Sequence, residues 1–422
     1  MSDTLTDIVA RNRSGERIAI PSICSAQPDV LRASMKWAER LDRPIVIEAT
    51  SNQVNQDRGY TGKTAANFVA DIDAFADACG VARERITLGG DHLGPQAWRN
   101  LPADLAMAKA RVLVQSYVSA GFEKIHLDCS EGCLDEPAQM SDAITASRTA
   151  DLALVCERAS HGTPIQYVIG TEVPPPGGAR ADESGDIPAT SPLAAMDTLA
   201  AHKVAFDALG LTDIKSQVSG LVVQPGVEFS PMQVHHMPIE RDPNLRDVML
   251  SWPALCLEAH STDYQHPTVF GCLAELGFAF QKVGPALTYA YRQALYAFDF
   301  ALQISGRGVG IMVAMDSLMT ADPAYWQGHY PQGDRVARHV GLADRIRYYW
   351  PHPVARKAVA DLREQVASQM LPDLLLRQVF ASNVLERAET LAGTQFQRLI
   401  DAQIEIALDP YDVRDRGNSY AH

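Results

Sequence analysis

The sequence predicts a (β/α)8 TIM barrel, and three observations lead to that fold. Short apolar runs alternate with amphipathic stretches over about 290 residues, the size and period of such a barrel. Most runs are apolar along their whole length, as parallel strands covered on both faces require. Polar residues gather just after the runs, at the strand ends where barrels keep their chemistry. A doubly wound open sheet is the rival architecture; it explains the alternation but not the ring of polar ends.

A short helix in the polar segment 1–17 precedes the first strand, 18–24. The apolar spacing of about 28–41 predicts a helix that Arg43-Pro44 breaks, releasing the second strand at 45–50. Thr64 is the N-cap and Gly80 the stop of the next helix, which delivers a third strand at 85–88 and then Gly89-Gly90-Asp91-His92-Leu93-Gly94-Pro95. A helix over about 102–120 leads to the fourth strand, 124–128; the fifth, 166–170, runs into Thr171-Glu172-Val173 and Pro174-Pro175-Pro176-Gly177-Gly178. A helix near 192–209 precedes the sixth strand, 221–228, and the last two are read at 255–260 and 278–284. Helical stretches at 286–304, 335–349 and 353–392 follow, so the chain divides into a barrel over 1–290 and an α-helical extension over 291–422 packed on it.

With 46% hydrophobic and 21% charged residues, the composition is that of a globular protein. A formal net charge of -14 argues against a nucleic-acid partner, yet leaves room for one small phosphorylated metabolite. The seven cysteines form no paired CxxC frame and indicate reduced thiols. No apolar run reaches about 18 residues and no signal peptide opens the chain, so a cytoplasmic protein without a membrane contact is expected. The composition leaves a homo-oligomer open.

The strand ends bring together His92, Glu172, Gln224, Glu228, Glu258 and His260. Two histidines and a carboxylate from separate strands suit a divalent metal such as zinc with one position open. The first-choice ligands are His92, Glu172 and His260, with Gln224 and Glu228 in reserve. A hydrogen-bonded polar layer without metal is the competing reading. Asp91, beside a ligand, is the acid/base candidate, with Glu258 a second catalytic carboxylate and Glu48 and Asp128 alternatives. The amide-rich Ser51-Asn52-Gln53-Val54-Asn55-Gln56 suits sugar hydroxyls, so Asn52 and Gln53 are assigned to substrate, as is Asp128. Lys282 is read as a charge partner that neutralises substrate charge, against a Schiff-base role.

His126 is left outside this set because it sits within a strand, and His235-His236 are read as a solvated loop. Gly306-Arg307-Gly308-Val309-Gly310 lacks P-loop spacing and is read as a flexible connection. Arg345, Arg347, Tyr348, Tyr349 and Trp350 are read as a solvated helix face with a buried aromatic edge.

Five motifs carry a resemblance: Glu48-Ala49-Thr50-Ser51-Asn52-Gln53-Val54-Asn55-Gln56, the Gly89-to-Pro95 motif, Tyr167-Val168-Ile169-Gly170-Thr171-Glu172-Val173-Pro174, Glu258-Ala259-His260-Ser261-Thr262-Asp263-Tyr264 and Asp344-Arg345-Ile346-Arg347-Tyr348-Tyr349-Trp350. Together they resemble the GatZ/KbaZ family over nearly the full length. That resemblance implies a place in galactitol and N-acetylgalactosamine catabolism. It implies either the non-catalytic subunit of a class II tagatose-1,6-bisphosphate aldolase, partnered by the catalytic subunit, or a metal-dependent ketohexose-phosphate 4-epimerase. An older tagatose-6-phosphate kinase label fits poorly, since no Gly-rich phosphate loop with its lysine is present. More faintly, Asp91-His92, Glu172 with Gly177-Gly178, and His260 resemble the acid/base and zinc residues of catalytic class II aldolases. His260 is followed by Ser261-Thr262-Asp263 and not by their Gly-rich phosphate loop, which favours a monophosphate substrate: 4-epimerisation between D-tagatose 6-phosphate and D-fructose 6-phosphate by retro-aldol cleavage and recombination.

Overall fold

A computed structural model describes residues 4–170, 187–331 and 333–414. Parallel pairing runs round a complete ring: β1 (Ile20–Cys24), β2 (Ile45–Thr50), β3 (Ile86–Leu93), β4 (Lys124–Leu127), β5 (Gln166–Gly170), β6 (Val218–Val222), β9 (Cys256–Ala259) and β10 (Phe278–Val283) close a barrel in the order β1-β10-β9-β6-β5-β4-β3-β2. The ring closes where Ser22 pairs with Lys282 on one side of β1 and with Val46 on the other. The open sheet is thereby excluded. Four of the eight barrel strands, β4, β6, β9 and β10, are buried end to end, and β1, β2, β3 and β5 each carry a single half-buried residue, which is why the runs read as almost continuously apolar.

Two short strands lie between the sixth and seventh barrel strands, β7 (Glu228–Phe229) and β8 (Val234–His235), paired antiparallel. They correct the expected sixth strand. Pro225 cannot donate to a ladder, and Gln224 Oε1 accepts from the amides of Gly226 (2.8 Å) and Val227 (2.9 Å), so the chain turns before Glu228. His235 therefore sits in a half-buried ribbon and not in a solvated loop.

The helices follow the local signals. In α3 (Ala65–Cys79), Thr64 and Asn67 form a reciprocal cap and Gly80 ends the helix at φ 69°. After β10, α8 (Pro285–Ile304) begins the helical region, followed by α9 (Ile311–Ala321) and α10 (Arg335–Val340). The two long helices expected beyond residue 335 are interrupted: a 3-10 turn at Arg345–Tyr349 stands apart from α10, and 353–392 divides into α11 (Pro353–Ser368), α12 (Asp373–Val379) and α13 (Ser382–Glu389). Pro372 at the N-cap of α12 accounts for one break.

The Gly306-to-Gly310 connection is tied down and not loose. The Asp299 carboxylate accepts from the amides of Val309 (2.7 Å), Gly310 (3.1 Å) and Ile311 (3.1 Å), so the donors that would cradle a phosphate already hold one of the protein's own anions.

The last helix, α14 (Gln395–Leu408), returns to α2 (Pro28–Arg40) through Lys36–Asp401 (2.8 Å) and Arg40–Glu405 (2.6 Å), and buried Arg43 reaches Asp412 (2.9 Å) and the Ala19 carbonyl (2.9 Å). A second buried pair, Arg292 on α8 with Asp344 at 2.8 Å, fixes the 3-10 turn that follows Asp344. Replacing Arg292 with Met leaves the Asp344 carboxylate without its cation, and breaking such a pair costs about 3–5 kcal/mol. Urea unfolding of Arg292→Met is expected to show a loss of that size.

Candidate active site

Adjacent residues on a strand face opposite sides, so Asp91 and His92 reach one interior only if the strand bends. It does. The β3–β4 register shifts between Gly90 and Leu93, and His92 takes a left-handed φ of 46° inside the bulge. Two glycines make room: a Cβ on Gly89 would stand 2.6 Å from Glu48 Cγ, and one on Gly94 would stand 1.8 Å from the Asp128 carbonyl oxygen. On β4, alternation turns Lys124 and His126 inward, and Asp128 continues the same side just past the strand end.

The interior holds a chain of charges. Lys124 Nζ donates to Glu48 and Glu258, each at 2.6 Å, with all three side chains buried. Lys282 Nζ lies 3.1 Å from both Glu48 and Glu258 and pairs closely with Asp91. Burial alone would lower the Lys282 pKa, but Asp91, Glu258 and Glu48 outweigh it and hold it well above the usual lysine value. A lysine so firmly protonated is a poor nucleophile, which supports its reading as a charge partner.

Three histidines surround Asp91, with ring centroids 4.8 Å (His92–His126), 5.0 Å (His92–His260) and 5.3 Å (His126–His260) apart. Each has one nitrogen committed to an acceptor: His92 Nδ1 to Asp128 Oδ2 (2.7 Å), His126 Nε2 to the Gly170 carbonyl (3.0 Å) and His260 Nε2 to Glu258 Oε1 (2.9 Å). Protons on those nitrogens leave His92 Nε2 and His126 Nδ1 as lone-pair donors, and both face Asp91 Oδ1, at 3.8 Å and 2.9 Å. Lys282 already meets Asp91 Oδ1 and the His92 amide donates to His126 Nδ1 at 3.3 Å, so a proton or a bound cation between these groups would complete a partly compensated set of acceptors. Burial and the Lys282 charge push the His260 pKa down to about 3, keeping its imidazole neutral. For Asp91, burial would raise the pKa, but His92, Lys282 and His126 hold it well below the carboxylate range. Candidate ligand atoms of Asp91, His92, His126 and His260 lie within 4.8 Å of one another, and all four residues are buried. The buried carboxylates Glu48, Asp91, Asp128 and Glu258 outnumber the ammonium groups Lys124 and Lys282, so the cluster has a surplus of negative charge for a cation to balance. The donor set fits a divalent metal.

A cavity of about 120 Å³ opens above this cluster, lined by Asp91, His92, His260 and Lys282 at its floor and by Asn52, Gln53, Tyr60, Ser261, Arg347 and Tyr348 at its walls. Residues 5–414 match the family described as D-tagatose-1,6-bisphosphate aldolase subunit GatZ/KbaZ-like. The chain belongs to the GatZ/KbaZ family. It is 41% identical to a D-tagatose 6-phosphate 4-epimerase of Agrobacterium fabrum, over 97% of this chain and 98% of that protein. The crystal structure of a probable tagatose 6 phosphate kinase from Sinorhizobium meliloti 1021 is similar at 41% identity and a TM-score of 0.85, covering 93% of this chain and 99% of that one.

In this GatZ/KbaZ-family chain, the residues singled out in the sequence fall into three groups. Asp91, His92, His260, Lys282, Asn52 and Gln53 share the cavity. Asp128 and Glu258 lie off its lining: Asp128 orients His92, and Glu258 joins Lys124, Lys282 and His260. The reserves Gln224 and Glu228 are not among the residues lining the cavity; Gln224 holds its turn, and Glu228 Oε1 accepts from the Phe229 amide at 2.8 Å. Glu172, with Gly177-Gly178, lies outside the described residues.

Sequence reasoning missed His126 and Lys124, although a Lys-x-His-x-Asp alternation across one strand was the available signal. It also misplaced Arg347 and Tyr348, which reach the cavity and do not form a solvated face. Among the described residues, no helix is long and apolar enough to cross a membrane.

Asp263, also in the cavity wall, accepts from the amides of Gly284 (3.1 Å) and Ala286 (2.7 Å), yet burial outweighs these bonds and raises its pKa to about 6. A raised carboxyl pKa means folding favours the protonated form; that contribution is full below the unfolded value near 3.8 and is lost as pH rises to about 6. Asp263→Asn keeps an acceptor but never ionises. Relative to the parent, it is expected to gain up to about 3 kcal/mol between pH 4 and pH 7 in denaturant titrations.

Proposed function

We propose that this chain interconverts D-tagatose 6-phosphate and D-fructose 6-phosphate by breaking and remaking the C3–C4 bond. The observation that carries this reading is the buried Asp91–His92–His126–His260 cluster under a polar cavity, in a chain 41% identical to a named tagatose 6-phosphate 4-epimerase. His92, His126 and His260, with Asp91 beside them, are the residues that would hold a divalent metal, zinc being the simplest choice for such nitrogen donors. When bound, the ion supplies positive charge beside the ketose carbonyl, where negative charge develops on cleavage.

The chain's own residues supply the rest. Asp91, ionised at neutral pH, takes the proton of the C4 hydroxyl as C3–C4 breaks, and returns it on recombination. Lys282 keeps that carboxylate ionised and stands as a fixed cation at the cavity floor. Asp128 and Glu258 hold His92 and His260 in the tautomers that turn lone pairs towards the site. Asn52 and Gln53 offer amide groups to sugar hydroxyls from the wall. A kinase reading has little support, because the glycine-rich connection after α8 is occupied by Asp299.

A second reading rests on the family description: the chain serves as a subunit of a tagatose-bisphosphate aldolase and becomes useful only beside its catalytic partner. Metal-loaded protein incubated alone with D-tagatose 6-phosphate, without ATP, distinguishes them. Formation of D-fructose 6-phosphate that a chelator abolishes and added metal restores is expected; no product, with stimulation of a separate aldolase on mixing, would establish the subunit role. Asp91→Asn is expected to lower turnover at least about 100-fold while retaining metal, as loss of a general base does. Elemental analysis after dialysis is expected to find one tightly bound divalent ion per chain in the parent protein and a large loss in His126→Ala, a residue absent from the sequence-based ligand set.

A further inference from the structure

Resting on that epimerase reading, we propose that Arg347, delivered by the helical region, anchors the C6 phosphate of the substrate and retains the phosphorylated fragment while its aldehyde turns over. Three observations point there. First, phosphate-binding barrels often use loops after the last strands and a helix N-terminus for the anion. Here the N-terminus of α8 is filled by Asp263, whose carboxylate accepts from Gly284 and Ala286. A second anion at that place would meet a carboxylate and no vacant amides.

Second, Arg347 lines the cavity from the 3-10 turn after Asp344; its Nη1 donates to the Ala343 carbonyl and to the Asp344 carbonyl (3.3 Å), and its Nη2 to Tyr348 Oη (3.0 Å), leaving Nε without a bond to a described protein group. The nearby Asp344 carboxylate is engaged by Arg292, and among the described residues no carboxylate forms an ion pair with Arg347. A half-buried guanidinium at the cavity wall, near the charges of Asp344 and Asp263 but in ion-pair contact with neither, is suited to a bidentate phosphate contact.

Third, Arg347 is shared between this cavity and a neighbouring one of about 320 Å³, whose wall gathers Arg32, Lys63, Arg356 and Arg363; Arg32 and Arg363 face Asp29 there, and Lys63 pairs with Asp71. In a chain of net charge -14, such a concentration of cations makes a local path for an anion. Arg347 stands where that path meets the catalytic floor.

The chemistry gives the anchor a second task. When the C4 hydroxyl proton passes to Asp91 and the C3–C4 electron pair moves into the enediolate, C4 becomes an aldehyde, and the phosphate stays on the C4–C6 fragment. That fragment must rotate and be attacked on its other face before it escapes. Recombination returns the electron pair to a C3–C4 bond and the proton to the C4 oxygen, with no oxidant or reductant consumed. An arginine on the phosphate holds the turning piece without restraining the carbonyl.

The test compares the parent with Arg347→Lys and Arg347→Met. For Arg347→Met the KM for D-tagatose 6-phosphate is expected to rise about 30-fold or more, with Arg347→Lys between the two. Free glyceraldehyde 3-phosphate, read by a coupled dehydrogenase, is expected to rise about tenfold per epimerisation event, a partition that a merely structural defect would not shift. A folded Arg347→Met variant with parental KM and parental leakage would overturn the proposal. Because this side chain also bonds its own turn, a measurement on the unaltered protein stands beside it: inorganic phosphate is expected to slow phenylglyoxal modification of Arg347, mapped by mass spectrometry. Lack of protection at saturating phosphate also overturns the anchor. Protection in a protein that shows no epimerisation would leave the anchor standing and remove the epimerase reading; turnover without protection would do the reverse.

Discussion

The buried bridge of Lys124 and Lys282 across Glu48, Glu258 and Asp91 is the constraint on which the rest of the site depends. Carboxylates taken out of water are tolerated only when cations and hydrogen-bond donors meet them. Here the partners come from strands spread round the ring, with the accepting carboxylates Glu48 on β2 and Glu258 on β9 and the donating ammonium groups Lys124 on β4 and Lys282 on β10. Closing the barrel and compensating these charges are therefore one event. The same ties fix Asp91 and, through Glu258, the ring of His260, so the reactive end of the molecule inherits its geometry from the centre of the fold.

Much of this was legible in the sequence. The continuous apolar runs, the Thr64 cap, the Gly80 stop and the polar strand ends gave the closed barrel and most element positions. That Asp91, His92, His260 and Lys282 share one cavity could be read ahead because each stands at or near a strand end, the usual place for barrel chemistry. His126 and Lys124 were passed over because the eye that looks for strand ends discounts strand interiors. Their spacing on β4, two residues apart with Asp128 two further on, does place them on one side. What the sequence could not display is the β3 bulge. Nothing in Gly90-Asp91-His92 announces that His92 adopts a left-handed conformation and turns inward with its neighbour.

The helical region was harder to read for a different reason. Arg345-Ile346-Arg347-Tyr348-Tyr349-Trp350 has the composition of an amphipathic surface, and local periodicity carries no information about what a segment is folded back upon. Its position is set by long-range contacts: Arg292 on α8 holds Asp344, Tyr264 Oη donates to the Leu342 carbonyl at 2.6 Å, and the Tyr60 and Tyr348 rings meet at 4.8 Å. Those contacts come from the loops after β2 and β9 as well as from α8, so the turn bearing Arg347 is placed by the barrel mouth itself. The Gly-rich connection shows the converse case, in which a segment with a suggestive composition is occupied by a local carboxylate, Asp299.

The pairing of α14 with α2 has a consequence for how the molecule is made. Ribosomes release a chain from its N-terminal end, and domains commonly fold as they emerge. In this protein Lys36, Arg40 and Arg43 belong to the first strand–helix–strand unit, whereas their partners Asp401, Glu405 and Asp412 are among the last residues described. The first unit waits while the chain between these partners, separated by 365 positions in the Lys36–Asp401 and Arg40–Glu405 pairs, is made, its outer helix lacking the surface it is built to meet. A messenger cut between the codons for β10 and α14 would thus yield a polypeptide with every barrel strand present and α2 uncovered, a natural client for chaperones and proteases.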